Sequence, residues 1–311
     1  MRIVFFGSPE SAIPSLQKIL EEGHKVELII TQPDKPSGRG KKLTASPVNR
    51  FALEKNIPVL QLRRIRKDPA ALDMLNEINP DINVVVAYGQ IIPASIIYLP
   101  KYNSINLHFS LLPKYRGASP VQWAILNGET TTGLTIFELN EKMDEGDILM
   151  QRETRILPHE KAFELEERLA REGADFLVKT IYQMDMLSPL KQDHALATYA
   201  PLIKKEDGQI DWDSEAISVD RKARAFSPWP SAFTYFRGKR IKILDGRVEL
   251  TEPVSPIKPG EIYASKKEGL AVVCGDGNIY TIDRLQPENR KAMSAYSFSL
   301  GANIKPGESF E

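Results

Sequence analysis

Cysteine is almost missing from this chain: Cys274 is the one thiol in 311 residues. That excludes an intramolecular disulfide framework and fits a reducing compartment. Histidine is nearly as scarce, with four residues scattered at 24, 108, 159 and 194, so no metal site is expected. There is no excess of either charge. Lys plus Arg and Asp plus Glu number 41 each, and the stretch from Asp207 to Glu311 alone holds 15 of each sign. Any nucleic-acid contact must then rest on local patches, and DNA binding is not expected. Apolar runs long enough to cross a bilayer are absent, and the opening Met-Arg-Ile-Val-Phe-Phe-Gly reads as a short strand broken at Gly7. A cytoplasmic protein without membrane contact is the expectation. Glycine is missing where a dinucleotide site would need it. The turn after the first strand is Gly7-Ser-Pro-Glu-Ser-Ala12, with one glycine and an acidic residue where a pyrophosphate would sit.

What is present is ordinary globular material, 42% hydrophobic and 26% charged, and the length calls for two domains. Apolar runs at Arg2–Gly7 and Lys25–Thr31 flank a helical stripe at Ile13, Leu16, Ile19 and Leu20 that ends at Gly23. This β-α-β start predicts an open, mostly parallel sheet with helices on both faces, which binds ligands beyond the carboxyl ends of its strands. Helices are predicted over 48–55 and 70–78, and the most apolar strand over 82–87 runs into Tyr88-Gly89-Gln90-Ile91. Strands follow at 104–108 and 133–139, then a segment 147–156 that extends outward and a long helix over 160–184 that closes the first domain. Residues 187–208 have scattered Pro and no sustained period, and read as a linker. Beyond it, a helix through 216–225 and short strands between Gly-rich turns predict a small all-β unit, for which an OB-type barrel is one candidate. The expected domains are therefore 1–186, a linker 187–208, and 209–311.

Three basic segments stand out. Residues 34–50 carry five cations against one carboxylate, which suits either a solvated loop or a flexible finger that orders on phosphates. Arg63-Arg64-Ile65-Arg66-Lys67 suits a further basic patch but reads first as a solvated connector. Arg237, Lys239, Arg240 and Lys242 cluster on one hairpin and are candidates for a phosphate patch.

The stretch Ser104-Ile-Asn-Leu-His-Phe-Ser-Leu-Leu-Pro-Lys-Tyr-Arg-Gly117 concentrates the chemistry. Asn106 and His108 share one side of a strand, and Leu111 to Gly117 should loop over a pocket. The carboxylate-rich turn Lys142-Met-Asp-Glu-Gly-Asp147 follows another strand. An amide, an imidazole and a carboxylate at strand ends suit transfer of a one-carbon acyl group to an amine. The imidazole can donate to the carbonyl oxygen as it gains charge, the carboxylate can set the tautomer or order a water, and the amide can anchor the substrate. A structural strand histidine and a turn-forming aspartate fit the same residues. Serine hydrolysis lacks its Gly-x-Ser-x-Gly elbow.

These motifs resemble those of the 10-formyltetrahydrofolate-dependent formyltransferases. Asn106-x-His108-x-Ser-Leu-Leu-Pro113 with Arg116-Gly117 is similar to one signature and Asp144-Glu-Gly-Asp-Ile148 to a second. Thr31-Gln-Pro-Asp34, Gly38-Arg-Gly-Lys-Lys-Leu43, Val84–Gly89, Ile210-Asp-Trp212 and Ala225–Pro230 extend the likeness over essentially the whole chain. The resemblance implies a Rossmann-like catalytic domain and an OB-like domain. It implies 10-formyltetrahydrofolate as donor and the methionine amine of initiator methionyl-tRNA as acceptor; separately, a monomer is expected. It places Asn106, His108 and Asp144 at the catalytic positions and Ser110, Leu111, Leu112 and Pro113 in the folate loop, with backbone contacts from Tyr88, Gly89, Gln90 and Ile91. Arg39, Lys41 and Lys42 match a loop that engages the acceptor end of tRNA. A small-amine formyltransferase and an inert RNA-binding protein are the alternatives; the first lacks a use for the basic loop, the second for the triad. Two departures are Phe109, where a small residue or Pro is usual and which should point away from the site, and Ser119 in place of Ala.

Overall fold

The run after Arg2 is buried on both faces, with Ile3, Val4, Phe5 and Phe6 all at 0% exposure, because strand β1 (Arg2–Gly7) sits at the centre of a sheet. The computed structural model describes residues 1–37, 42–249, 258–305 and 307–311, the side chains of 35–37, 42 and 266 excepted. By its internal contacts the chain forms two units. One comprises Met1–Pro120, Thr131–Arg155 and Leu165–Pro201; the other comprises Val121–Thr130, Ile156–Glu164 and Leu202–Glu311.

In the first unit, α1 (Ile13–Glu21) returns the chain to β2 (Lys25–Thr31), and β3 (Lys35–Ser37) pairs with β4 (Lys42–Thr44) as a separate hairpin. Helix α2 (Pro47–Glu54) starts where the Ser46 side chain accepts from the Asn49 N–H with Pro47 behind it. After β5 (Val59–Gln61), α3 (Pro69–Ile78) is capped by Asp68 and stopped by Asn79 in the left-handed region. Then come β6 (Ile82–Val86), the short α4 (Ala94–Ile97), β7 (Ser104–His108), β8 (Thr131–Glu138), β9 (Ile148–Arg155) and, from Leu165 on, α6 (Ala162–Gln183), while α5 (Pro120–Leu126) belongs from Val121 to the second unit. The sheet order is β5-β2-β1-β6-β7-β8-β9. The first five strands are parallel, β8 is antiparallel to β7, and β9 is antiparallel to β8. The chain therefore reverses direction across the sheet between β1 and β6, the kind of switch point where such sheets hold ligands.

Two segments differ from expectation. Residues 148–155 do not extend outward: they form the edge strand β9, paired with β8 from Thr131↔Arg155 to Phe137↔Ile148. The stretch expected to link domains lies on the first unit as far as Pro201. Leu190 exchanges two backbone hydrogen bonds with Ile148, at 2.7 and 2.8 Å, and Tyr199 bridges to Arg116. The physical reason is that an edge strand and a loop offer unpaired backbone groups, and an irregular segment can satisfy them without any periodicity of its own.

The second unit has its own antiparallel sheet: β10 (Ala232–Phe236), β11 (Lys239–Glu249), β12 (Ile262–Lys266), β13 (Gly269–Val273) and β14 (Ile279–Pro287), in the order β10-β11-β14-β13-β12. A short β15 (Met293–Ser294) joins β14, and α7 (Ala216–Ala225) and α8 (Ala295–Ala302) complete the unit. Strand β11 is 11 residues long, bending through register shifts between Ile243 and Gly246. Ile241, Ile243, Leu270, Val272, Tyr280 and Ile282 form its core. No helix among the described residues is long and apolar enough to cross a membrane.

Candidate active site

Strand β7 ends at the carboxyl edge of the sheet with His108, 7% exposed, and carries Asn106 two residues earlier on the same side. The His108 Nε2 lies 2.9 Å from the Tyr115 carbonyl oxygen. A carbonyl can only accept, so Nε2 bears the hydrogen and the tautomer is set by Tyr115 rather than by a carboxylate. The other ring nitrogen, Nδ1, faces Asp144 Oδ2 at 3.9 Å, beyond hydrogen-bond range. Phe137 meets the ring edge-on, 6.4 Å between centroids. The Asn106 side chain is half-buried and makes no hydrogen bond among the described residues, which leaves its amide available to a ligand.

Asp144 does not arrive from the strand end beside His108, as the sequence suggested. Glu138, the last residue of β8, is in register with Ile105, and the Leu139 N–H donates to Ser104 O at 2.8 Å. The loop joining β8 to β9 thus leaves the sheet three residues, about 10 Å, from His108 and must fold back along β7. Three features make that path possible. Asp144 takes a left-handed φ of 54°, tolerable for Asp. Position 146 must be glycine, since a Cβ there would sit 1.7 Å from the Glu138 carbonyl oxygen. Asp144 Oδ2 accepts the Gly117 N–H at 2.7 Å, a charge-assisted bond that joins this loop to the one after β7.

That second loop is also anchored. Thr135, opposite His108 on β8, donates from Oγ1 to Ser110 O at 2.7 Å and accepts the Leu112 N–H at 3.0 Å. Gln151 on β9 donates to Leu112 O at 2.7 Å. Ser110 is fully buried with its hydroxyl on Lys114 O, and Leu112 packs with Phe137 and Ile148. Leu111 and Pro113 remain half-exposed. Phe109 is buried at 8% exposure, and Ser119, also buried, donates its N–H to Ala200 O.

Arg116 is the largest fully buried side chain, at 1% exposure. A charge so placed needs partners, and it finds Gln192 Oε1 at 2.7 and 3.1 Å, His194 Nδ1 at 3.0 Å and Glu145 Oε1 at 3.5 Å. Sequence reasoning missed Gln192, His194, Thr135 and Gln151. Each acts across a long sequence separation and leaves no local spacing.

The turn after β6 is partly committed to structure. Tyr88 is buried edge-on to Phe6, 5.5 Å between centroids, and burial pushes its phenol well above the ordinary range. Its carbonyl accepts from Gln32 at 2.7 Å. Gln90 accepts the Ile65 N–H and donates to Leu62 O. Gly89 and Ile91 are exposed, and Gln90 and Ile91 line a concavity of about 300 Å³ together with Arg63, Arg64, Ile65 and Arg66. Arg39 and Lys41 lie outside the described residues, as does the side chain of Lys42.

On the second unit's hairpin the four cations separate. Arg237 is held by Glu308 in a two-toothed pair at 2.7 and 2.9 Å and donates to Ala302 O. Arg240 lies 3.7 Å over the Phe233 ring. Lys239 is exposed and Lys242 half-exposed.

Fold and site together define an α/β enzyme unit, with an imidazole, a free amide and an anchored carboxylate at its sheet edge, accompanied by an antiparallel β unit. The chain belongs to the formyl transferase family: residues 1–181 match the family itself and residues 202–303 its C-terminal domain. It is 43% identical over 309 residues to the methionyl-tRNA formyltransferase of Geobacter metallireducens, covering 99% of this chain and 97% of that one. It is likewise 43% identical over 309 residues to the protein of that name from Caldanaerobacter subterraneus, covering 99% of both. In fold it resembles the N-formyltransferase of Helicobacter canadensis crystallised with folinic acid and dTDP-3-aminofucose. There the TM-score is 0.67 at 19% identity, over 92% of this chain and 98% of that one.

Proposed function

We propose that this protein transfers the formyl group of 10-formyltetrahydrofolate to the α-amino group of methionine on initiator methionyl-tRNA. The observation that carries the reading is the His108 edge: Nε2 fixed on Tyr115 O, Nδ1 facing Asp144 at 3.9 Å, and an uncommitted Asn106 amide on the same strand. Full-length likeness to relatives bearing that activity's name supports the choice of acceptor.

The bound formyl-folate supplies an acyl carbon bearing a good nitrogen leaving group. The protein's residues must then hold the carbonyl, receive the proton that the attacking amine loses, and exclude water. With Nε2–H committed to Tyr115, the neutral ring of His108 presents a lone pair at Nδ1, which suits it to take that proton. Once protonated, the same nitrogen is a donor on the side where the carbonyl oxygen gains charge, and the Asp144 carboxylate balances the ring's positive charge. The proton then passes to the folate nitrogen as its bond to the formyl carbon breaks and tetrahydrofolate leaves. Asn106 adds a neutral donor that needs no reorganisation. Ser110, Leu111, Leu112 and Pro113 form the folate-facing loop, and Tyr88, Gly89, Gln90 and Ile91 the backbone wall beside it. In this reading residues 1–186 catalyse and 209–311 contact tRNA. Lys239 and Lys242 are the most available hairpin cations, with Arg237 and Arg240 beside them, while Arg39, Lys41 and Lys42 meet the acceptor end. The protein works as a cytoplasmic monomer.

The test is direct: purified protein with 10-formyltetrahydrofolate and either methionyl initiator tRNA or a nucleotide-linked amino sugar. Formylation of the charged tRNA is expected. Transfer to the amino sugar alone would assign the site to a small amine.

A further inference from the structure

We infer that Gln192, in the segment that read as linker, is a positioning residue that locks the Asp144 loop against the loop that follows β7. The inference rests on the catalytic reading of Asp144 given above. Gln192 is 5% exposed and uses both ends of its amide. Its Nε2 donates to Asp144 O at 2.9 Å and to Gly146 O at 2.7 Å. Its Oε1 accepts from Arg116 Nε and Nη2 at 3.1 and 2.7 Å.

The two loops that it joins are the ones that make the site. Arg116 lies between Tyr115, whose carbonyl fixes His108, and Gly117, whose N–H is held by Asp144 Oδ2. Asp144 and Gly146 belong to the loop that leaves the sheet at the far end of β7 and has to be brought back. A loop in that position, with a left-handed residue at its apex, has no ladder of its own to hold it. The Gln192 amide supplies the missing donors, and the two Leu190–Ile148 backbone bonds next to it fix where Gln192 sits. A neutral amide is the residue type this place needs. Its nitrogen faces two carbonyl oxygens and its oxygen faces a guanidinium, so both halves are satisfied without adding charge. Gln192 touches neither His108 nor the open amide of Asn106 among its hydrogen-bond partners, so it acts through Asp144.

The informative substitution is Gln192→Glu. It keeps an acceptor for Arg116 but replaces two N–H donors with an oxygen facing two carbonyls, so the Arg116 anchor survives while the Asp144 loop is released. A displacement of about an ångström costs on the order of 100-fold in rate. A fall in kcat of about 10- to 100-fold is therefore expected, with KM for 10-formyltetrahydrofolate within about twofold of the parent. Faster hydrogen exchange at the Gly117 amide is expected alongside it. In an Asp144→Asn background, Gln192→Glu should cause no further loss, because the two act as one unit. If Gln192→Glu does not fold, Gln192→Asn retains the amide, shortens its reach and submits to the same comparison. Normal kcat, or losses that multiply with those of Asp144→Asn, overturns the inference while leaving Asp144 in its role. Normal turnover by Asp144→Asn itself overturns the catalytic reading of Asp144 and this inference with it.

Discussion

The two units treat their polar side chains in opposite ways. Around His108 nearly every polar group is tied to the protein: the ring to Tyr115, Asp144 to Gly117, Thr135 to both ends of the Ser110–Leu112 turn, and Arg116 to Gln192 and His194. The Asn106 amide is left open. On the β10–β11 hairpin of the second unit, Arg237 is paired with Glu308 and Arg240 stacks on Phe233, but Lys239 and Lys242 stand at the surface. A reaction needs fixed geometry, and dense hydrogen bonding supplies it. A phosphate backbone needs mobile charge, and exposed lysines supply that. The contrast predicts that substitutions in the first unit act on kcat or stability, and those on the hairpin act on salt-dependent affinity.

The largest effect should come from His108→Ala, which removes the group assigned to the proton. A general acid–base contribution is about 100- to 10,000-fold, so kcat should fall by that range in a protein that still folds, with Tm lowered because the Tyr115 carbonyl loses its donor. Turnover within a few-fold of the parent would place the chemistry elsewhere and dissolve the contrast. Next is Thr135→Val, which keeps the β-branched shape on β8 but leaves the Leu112 N–H and Ser110 O without their partner. Unsatisfied buried groups cost about 1–3 kcal/mol. A lower Tm is expected together with a raised KM for the folate. A lower Tm with normal KM would mean that the Ser110–Pro113 loop does not face the donor.

How much of this could be read in advance depended on whether a feature is local. β1 and β2 have the bounds that their apolar runs implied, and α7 matches residue for residue. The Asn106–His108 pair was legible because period two is a property of any strand. The fold-back of Asp144 was not, since it depends on β8 being antiparallel to β7 with Glu138 opposite Ile105, and antiparallel placement has no signature in a single apolar run. Gln192 was hidden for a related reason. It bonds Arg116 and Asp144 across 76 and 48 positions, inside a segment whose lack of period looked like a linker. The splitting of the hairpin cations likewise required Glu308, 71 residues beyond Arg237.

The hairpin supplies a smaller effect. Replacing Lys239 and Lys242 together by Ala should weaken tRNA binding modestly and lower the slope of log K against log salt by about 1–2, since each phosphate contact contributes about 0.7–0.9. Formylation of saturating tRNA should be unaffected. A fall in kcat with no change in salt slope would move these lysines into the catalytic unit's class.

The smallest effect contrasts one carboxylate from each unit. Glu308 is held below the usual range by the Lys305 backbone N–H and by Arg237. It therefore adds stability at neutral pH, which is lost as pH falls through its folded-state value. Glu138, at the end of β8 beside the Asp144 loop, is pushed the other way by burial and by the neighbouring Asp147 charge. For a carboxyl raised in the folded state, the unfolded chain gives up its proton first, so stability falls as pH climbs from about 4.5 through the folded value and stays reduced above it. Glu138→Gln removes that penalty. The variant should melt slightly higher than the parent at pH 7, with the difference closing toward pH 4, whereas Glu308→Gln should melt slightly lower at pH 7 and converge with the parent only below about pH 4.5, as pH falls through the lowered folded value. Thermal scans of the three proteins from about pH 2 to 7 read both slopes. If Glu138→Gln also melts lower at pH 7, the Glu138 carboxylate is stabilised by its surroundings, and the two units do not differ in how they hold charge.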